Sequence, residues 1–403
     1  MVVSLLLFVN SCISQASLKE SYWRAQLSLN DSTKLRFDFY VTNRNSKRII
    51  EIIDGKEKII VDEISFAGDS LFFKMPVFDS EFRCKKTDDK KMTGVWINHA
   101  RKTNTTIPFE AFSLYPDGVY TKGEDSIFYT KSAYEVTFSK NLPDSSKAVG
   151  IFNETNFYYV NGTFLTETGD YRYLSGTRSG NKFELSCFDG SHAFVFKGKV
   201  KGDSIVDGHF YSGSHWHEPW VAVRNDKFQL RNPDSLTYLK PGFTKVDFNF
   251  KNLQGKGVTL HDNKYQNKVV IIQIMGSWCP NCMDETKFLA PFYDKYNVKG
   301  LEVVALAFER TDDFNKAVSN VQRSKTRFSA NYDFLITMKT GKDQASEALP
   351  MLNEVMAFPT TIYIDKKGTV RKIYTGFNGP ATGDAYTKYV EETTRFVEKL
   401  LAE

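Results

Sequence analysis

The chain has 403 residues, 41% of them apolar and 25% charged, and a formal net charge of +5. That length is too great for one compact core and predicts at least two domains, and the composition is that of an ordinary globular protein. The small basic excess is spread along the chain with no Lys/Arg block interleaved with aromatics, which argues against nucleic-acid binding.

The first element is a short apolar run, residues 2–9. It is far too short to span a bilayer and has the character of a signal-peptide core. "VNSC" (9–12) looks like a bacterial lipobox, in which Cys12 would be lipidated and become the first mature residue. An ordinary signal peptide followed by a chance cysteine is the alternative. Either reading assigns 1–16 to a signal or lipoprotein segment and sends the chain to the cell envelope or periplasm. No later stretch is long and apolar enough to span, so attachment to a membrane would be by lipid only.

Residues 17–230 read as an antiparallel β domain, a barrel or a sandwich. "KLRFDFYV" places Leu35, Phe37, Phe39 and Val41 on one face, and "RIIEIIDG", "KIIVDEI", "DSLFFKM", "NKFELSCF", "HAFVFKGKV" and "WVAVRN" continue the pattern between turn signals such as Asp54-Gly55 and Gly202-Asp203. Phe (33) and Tyr (20) are abundant and favour strands. Helical periodicity is absent before residue 240, and many strands without crossover helices mean an all-β architecture. A weak internal echo runs through it: "VFDSEF", "GVW" and "IPFEA" (77–111) parallel "CFDGSHAF", "GHF" and "EPWVA" (187–222). Two copies of one meander closed into a single barrel would produce this. Cys84 and Cys187 fall on strand-like segments, either as buried small hydrophobes or as a disulfide that an oxidising compartment permits. "GHFYSGSHWHEPW" carries His209, His215 and His217; on a strand His215 and His217 would share a face, as metal ligands or as rim polar groups.

"RNPDSLTYLKPGF" (231–243) has the Pro/Gly/Asp character of a linker. The rhythm then changes over 244–403. A buried strand (268–275), a helix to Tyr296, a strand (301–308), helices over 313–322 and 343–356, a strand pair (360–365 and 369–376) and a C-terminal helix (385–401) make an α/β layout.

"GSWCPNC" (276–282) follows the first of these strands and holds two of the five cysteines. A zinc site needs four ligands; there is no second CxxC, and most of the histidines lie in the other half. An inert disulfide of this spacing would constrain little of the unfolded chain. A redox couple suits the context. The helix N-terminus offers partial positive charge and free N–H groups to a thiolate at Cys279, which would attack, while Cys282 one turn on would resolve the mixed disulfide. Pro280 suits the first helical turn.

With "WCPNC" after a buried strand, Glu285 three residues beyond the second cysteine, and "FPTTIYID" later, residues from about 242 onward resemble the TlpA/ResA-like thiol–disulfide oxidoreductases. The resemblance implies a thioredoxin fold. It implies that Glu285 helps move protons, that Pro359 is a cis-proline facing the sulfurs, and that the backbone at Phe358 pairs with substrate. Trp278, Pro280 and Thr360 would adjoin the substrate. Gln273 stands where thioredoxin has a buried acid, in keeping with this branch. Departures are Lys287 where the family often has proline, and Met275-Gly276 in place of an aromatic–small pair. A peroxiredoxin would need Thr where Gly276 stands. The expectation is therefore an exported thiol–disulfide oxidoreductase. It would act on disulfide-containing envelope proteins, be re-reduced by a membrane thiol donor, and need no metal or organic cofactor. The rivals are an oxidase or isomerase using the same cysteines, or a non-enzymatic ligand-binding lipoprotein.

Overall fold

The computed structural model describes residues 18–114, 132–156 and 159–403. The 1–16 segment and Cys12 lie outside the described residues.

The first nine strands are β1 (Ser21–Ser28), β2 (Lys34–Arg44), β3 (Lys47–Asp54), β4 (Glu57–Val61), β5 (Glu63–Ala67), β6 (Ser70–Lys74), β7 (Ser80–Asp88), β8 (Lys91–Asn98) and β9 (Thr106–Leu114). They form one antiparallel sheet in the order β4-β3-β2-β1-β9-β8-β7-β6-β5. The second nine are β10 (Ala133–Phe138), β11 (Ser146–Asn156), β12 (Tyr159–Thr166), β13 (Gly169–Asp170), β14 (Leu174–Ser179), β15 (Lys182–Phe188), β16 (Ala193–Lys201), β17 (Ser204–Ser212) and β18 (Trp216–Arg224). In this sheet β10 pairs with both β11 and β18, and β11 also pairs with β12, so the ladder closes into a barrel.

The expected single barrel is therefore two sheets of like topology. Each begins with a strand held between its successor and the last strand of its own sheet. The echo falls on corresponding strands, β7–β9 and β16–β18. The alternation seen in β2 is the buried face, with Leu35, Phe37, Phe39 and Val41 all inward. The barrel interior is packed with rings, among them Phe138, Phe152, Phe164, Phe196 and Trp220. The open sheet is completed from outside: Phe188, Ala193 and Val195 of the barrel join its core, and the Phe188 ring stacks on Phe37 at 4.5 Å. Cys84 and Cys187 belong to different cores and are free thiols, not a disulfide.

The C-terminal unit is a seven-stranded sheet. Its strands are β19 (Asn249–Asn252), β20 (Gly257–Thr259), β21 (Val269–Met275), β22 (Leu301–Ala307), β23 (Asp333–Ile336), β24 (Thr360–Ile364) and β25 (Val370–Thr375), in the order β20-β19-β23-β22-β21-β24-β25. β21, β22 and β23 are parallel, β24 runs antiparallel to β21, and β25 reverses again against β24. The helices are α1 (Pro280–Tyr296), α2 (Phe314–Arg327), α3 (Gly341–Ala348) and α4 (Asp384–Ala402). This is the thioredoxin arrangement with an added β19–β20 hairpin. The helix expected over 343–356 stops at Ala348, because Pro350 lacks an N–H and keeps the residue before it out of helical geometry. The 231–243 stretch is packed down rather than free: Thr237 is fully buried, its N–H donates to Thr375 Oγ1 (3.1 Å), and Leu239 bridges to Leu352.

Candidate active site

Strand β21 is buried at every position, as a continuous β-branched run between two layers should be. It ends at Gly276, where a Cβ would stand 2.4 Å from Trp278 Nε1. The missing side chain lets the indole fold back and donate to Phe308 O (2.9 Å), which accounts for glycine at this departure from the family pattern. Ser277 is held by Glu309, which accepts from its N–H (2.7 Å) and its hydroxyl (2.6 Å). Burial pushes the Glu309 carboxyl upward, and the Ser277 bonds oppose this.

Cys279 is the N-cap of α1, with Pro280 in the first turn, and its sulfur accepts from Cys282 N–H at 3.3 Å. The two sulfurs lie 2.6 Å apart, close enough for one to attack a mixed disulfide on the other. Their exposures differ in the way that matters: Cys279 is 7% exposed and lines a cleft, whereas Cys282 is 0% exposed beneath it. Burial pushes the Cys282 thiol well up, with Cys279 and Glu285 adding to the effect.

Glu285 is fully buried one turn further on. It accepts from Thr361 Oγ1 (2.5 Å), Gln273 Nε2 (2.9 Å) and Tyr389 Oη (3.5 Å). Burial pushes its carboxyl up to about 7, against the pull of those three donors. Gln273 also donates to Cys282 O (3.3 Å) and so ties the carboxylate to the helix turn that carries the buried thiol. The Phe358–Pro359 peptide is cis, and Phe358 O accepts from Cys279 Sγ at 3.4 Å. Trp278, Pro280 and Phe358 line the cleft with Cys279. Thr360, expected beside substrate, turns inward instead. It is 0% exposed, and its hydroxyl donates to Ala357 O (2.8 Å). Its backbone is already paired on both sides, with Ile274 and Thr375.

The β units come directly onto this site. Ser191 Oγ donates to Trp278 O (3.0 Å), and Asn281 Nδ2 to Asp170 O (3.2 Å). Arg172, in the turn after β13, is a junction for all three sheets. It pairs with Glu57 of the open sheet (2.7 Å), Asp189 of the barrel (3.3 Å) and Asp284 of α1. Lys287 reaches Glu57 as well (3.1 Å). None of Arg172, Asp284, Glu309 or Ser191 carried a sequence signal, since each acquires its role only through partners distant in the chain.

The expected pairing of His215 with His217 on one face is not observed. β18 starts at Trp216, so His215 lies in the preceding turn against Arg101 (2.6 Å). His217 pairs instead with His209 across the β17–β18 ladder (3.0 Å). Among the described residues no group of three or more His, Cys, Asp or Glu gathers to hold a metal.

A thioredoxin-type sheet with two thiols at the head of the helix that follows its central strand is the framework of a thiol–disulfide oxidoreductase. The Redoxin family model matches residues 240–388. Thiol-disulfide oxidoreductase ResA of Geobacillus thermodenitrificans is 31% identical over 140 residues, 35% of this chain and 72% of the relative. ResA of Bacillus thuringiensis is 29% identical over 154 residues, 38% of this chain and 76% of the relative. Among solved structures, a thiol:disulfide interchange protein of the thioredoxin family from Chlorobium tepidum aligns at 18% identity with a TM-score of 0.30, over 39% of this chain and 95% of that one. Through its C-terminal unit the chain belongs to the ResA/TlpA-like thiol–disulfide oxidoreductases.

Proposed function

We propose that the chain is an exported disulfide reductase of cell-envelope proteins. Reduced Cys279, as thiolate, attacks one sulfur of a substrate disulfide. A Cys279–substrate disulfide forms, and the other substrate sulfur leaves and takes up a proton. Cys282 then loses its proton to the Glu285 carboxylate and attacks Cys279 Sγ. The second substrate thiol leaves, and the Cys279–Cys282 disulfide remains. Two electrons have passed to substrate, the first leaving sulfur taking its proton from water and the second from Glu285, and a membrane thiol donor restores the dithiol. No metal or organic cofactor enters. Pro359 and the Phe358 backbone hold the substrate strand against the sulfurs, Trp278 and Pro280 flank it, and lipid on Cys12 would keep the protein at a membrane.

The observation that carries this reading is the placement of the thiols. One opens onto a cleft, and the other is sealed beneath it beside a carboxyl whose pKa of about 7 suits proton exchange near neutral pH. The reducing direction is supported by the surroundings of Cys282. A strong oxidant owes its potential to a stabilised reduced form, and a buried thiol beside an acid is not stabilised as thiolate.

The test is a trap. Cys282→Ser should accumulate mixed disulfides with envelope proteins through Cys279, and Cys279→Ser should accumulate none. Adducts with Cys279→Ser alone would reverse the roles of the two sulfurs.

A further inference from the structure

The cleft over Cys279 has a volume of about 760 Å³ and is built by all three sheets. The open sheet contributes Arg101 from the turn after β8, the barrel contributes His192 and His215, and the C-terminal unit contributes Trp278, Phe358 and Arg310. Clefts of about 300–1,000 Å³ enclose small ligands or a few residues of extended chain. A substrate disulfide must enter this cleft to reach a sulfur that is 7% exposed.

The charge in the cleft is unbalanced. Arg101 contacts His215 through Nη1 (2.6 Å), and burial and the Arg101 charge hold that imidazole below its usual pKa, which favours its neutral form. The Arg310 guanidinium carbon sits over the Trp278 ring, 3.6 Å from its centroid. Burial lowers the Arg101 pKa, and the Arg310 charge lowers it further; burial also lowers Arg310, with Cys279 and Glu309 opposing this. Among the described residues neither has a carboxylate within ion-pair distance, although 32 such pairs are formed elsewhere. The cleft's own acids do not answer them. Asp170 is occupied by the N–H groups of Gly379 and Arg172, and Asp312 lies exposed at the mouth. Two cations at the cleft, one half-buried and one exposed, neither in an ion pair among the described residues, favour an anion and repel a cation.

We propose that this cleft is a substrate groove for an extended polypeptide segment whose disulfide-bonded cysteine has an aspartate or glutamate close beside it, the carboxylate being held by Arg101 and Arg310. The inference rests on the reductase reading and adds the substrate class. The β units select by shape and charge, and the thioredoxin unit performs the exchange. Substrates would be unfolded or locally extended chains with acidic residues near the cysteine.

The test uses the reduced full chain and eight-residue peptides whose single cysteine is disulfide-linked to 2-thiopyridine, with Asp, Asn or Lys next to it and dithiothreitol as the final reductant. The expected order of kcat/KM is Asp over Asn over Lys, about tenfold at each step, the size of one charge-assisted hydrogen bond, carried mainly by KM. In Arg101→Gln the Asp-to-Asn ratio should collapse towards unity, and in Arg101→Lys it should partly return. Equal rates on all three peptides, or an Asp preference unaltered in Arg101→Gln, overturn the groove while leaving the reductase. A parallel arm measures binding of the same peptides with Ser in place of Cys. Salt-sensitive binding of the acidic one without any reduction would sustain the groove and remove the reductase reading. Glutathione disulfide reduced as fast as the acidic peptide, and lost in Arg101→Gln, would overturn the polypeptide occupant in favour of a small carboxylate-bearing disulfide.

Discussion

Replacing Glu285 by Gln removes the carboxyl from a fully buried position of the site and keeps its shape. The carboxyl is fully buried and its pKa stands at about 7 against 4.5 for a free glutamate. The folded chain therefore holds this proton more tightly than the unfolded chain. By linkage the contribution is fully present below pH 4.5 and is lost as pH rises to about 7. Over that window it amounts to about 3 kcal/mol. Other buried acids titrate nearby, so the informative quantity is the difference between wild type and Glu285→Gln. Hydrogen exchange of the β21 amides, corrected for intrinsic rates, reads local stability where the carboxyl acts. Wild type should lose about 2.5 kcal/mol of protection relative to Glu285→Gln between pH 5 and 8. Resolution of a Cys279 mixed disulfide should rise with pH through about 7 in wild type, and in the variant it should be slower by about 10²-fold without that inflection. Parallel protection profiles in the two proteins would refute a carboxyl titrating in this range.

Arg172→Met should loosen the three sheets from one another. It strands Glu57, Asp189 and Asp284 without their shared cation, and breaking a buried network of this kind costs about 3–5 kcal/mol. Faster proteolytic cleavage within 231–243 would register the loss, and unchanged cleavage would mean the junction does not depend on this residue. Gly376→Ala should have a related effect. The position has φ +78°, and a Cβ would meet the Thr168 carbonyl carbon at 2.8 Å, so the barrel must move away from β25. A melting temperature lowered by several degrees, with the dithiol still reactive, is the expected result.

What was legible in the sequence followed from locality. Alternation in β2 and the β-branched run of β21 declare buried strands because side-chain direction repeats every two residues. "WCPNC" and Glu285 are visible because strand end, cap and first turns are contiguous in the chain. β19, β20 and β23 were missed, being only three or four residues long, too short for a period to emerge. The two-sheet arrangement was hidden because the echo marks corresponding strands without saying which edges pair. Thr360 was misplaced because its position next to the cis peptide says nothing about which face it presents. His215 and His217 were expected side by side because the tight turn at Gly213, φ +57°, ends the strand pattern before His215 does. Arg101, Arg172, Ser191 and Arg310 meet the site from four separate loops, and only packing brings them there.

The most direct test of the account is the midpoint of the Cys279–Cys282 couple, titrated in glutathione and dithiothreitol buffers and read by thiol labelling. A reductase requires a reversible two-electron couple near or below about −250 mV, towards the thioredoxin value. A couple at about −120 to −180 mV would make the protein an oxidant or isomerase and contradict the direction proposed for it. The absence of any reversible couple would contradict the exchange chemistry itself.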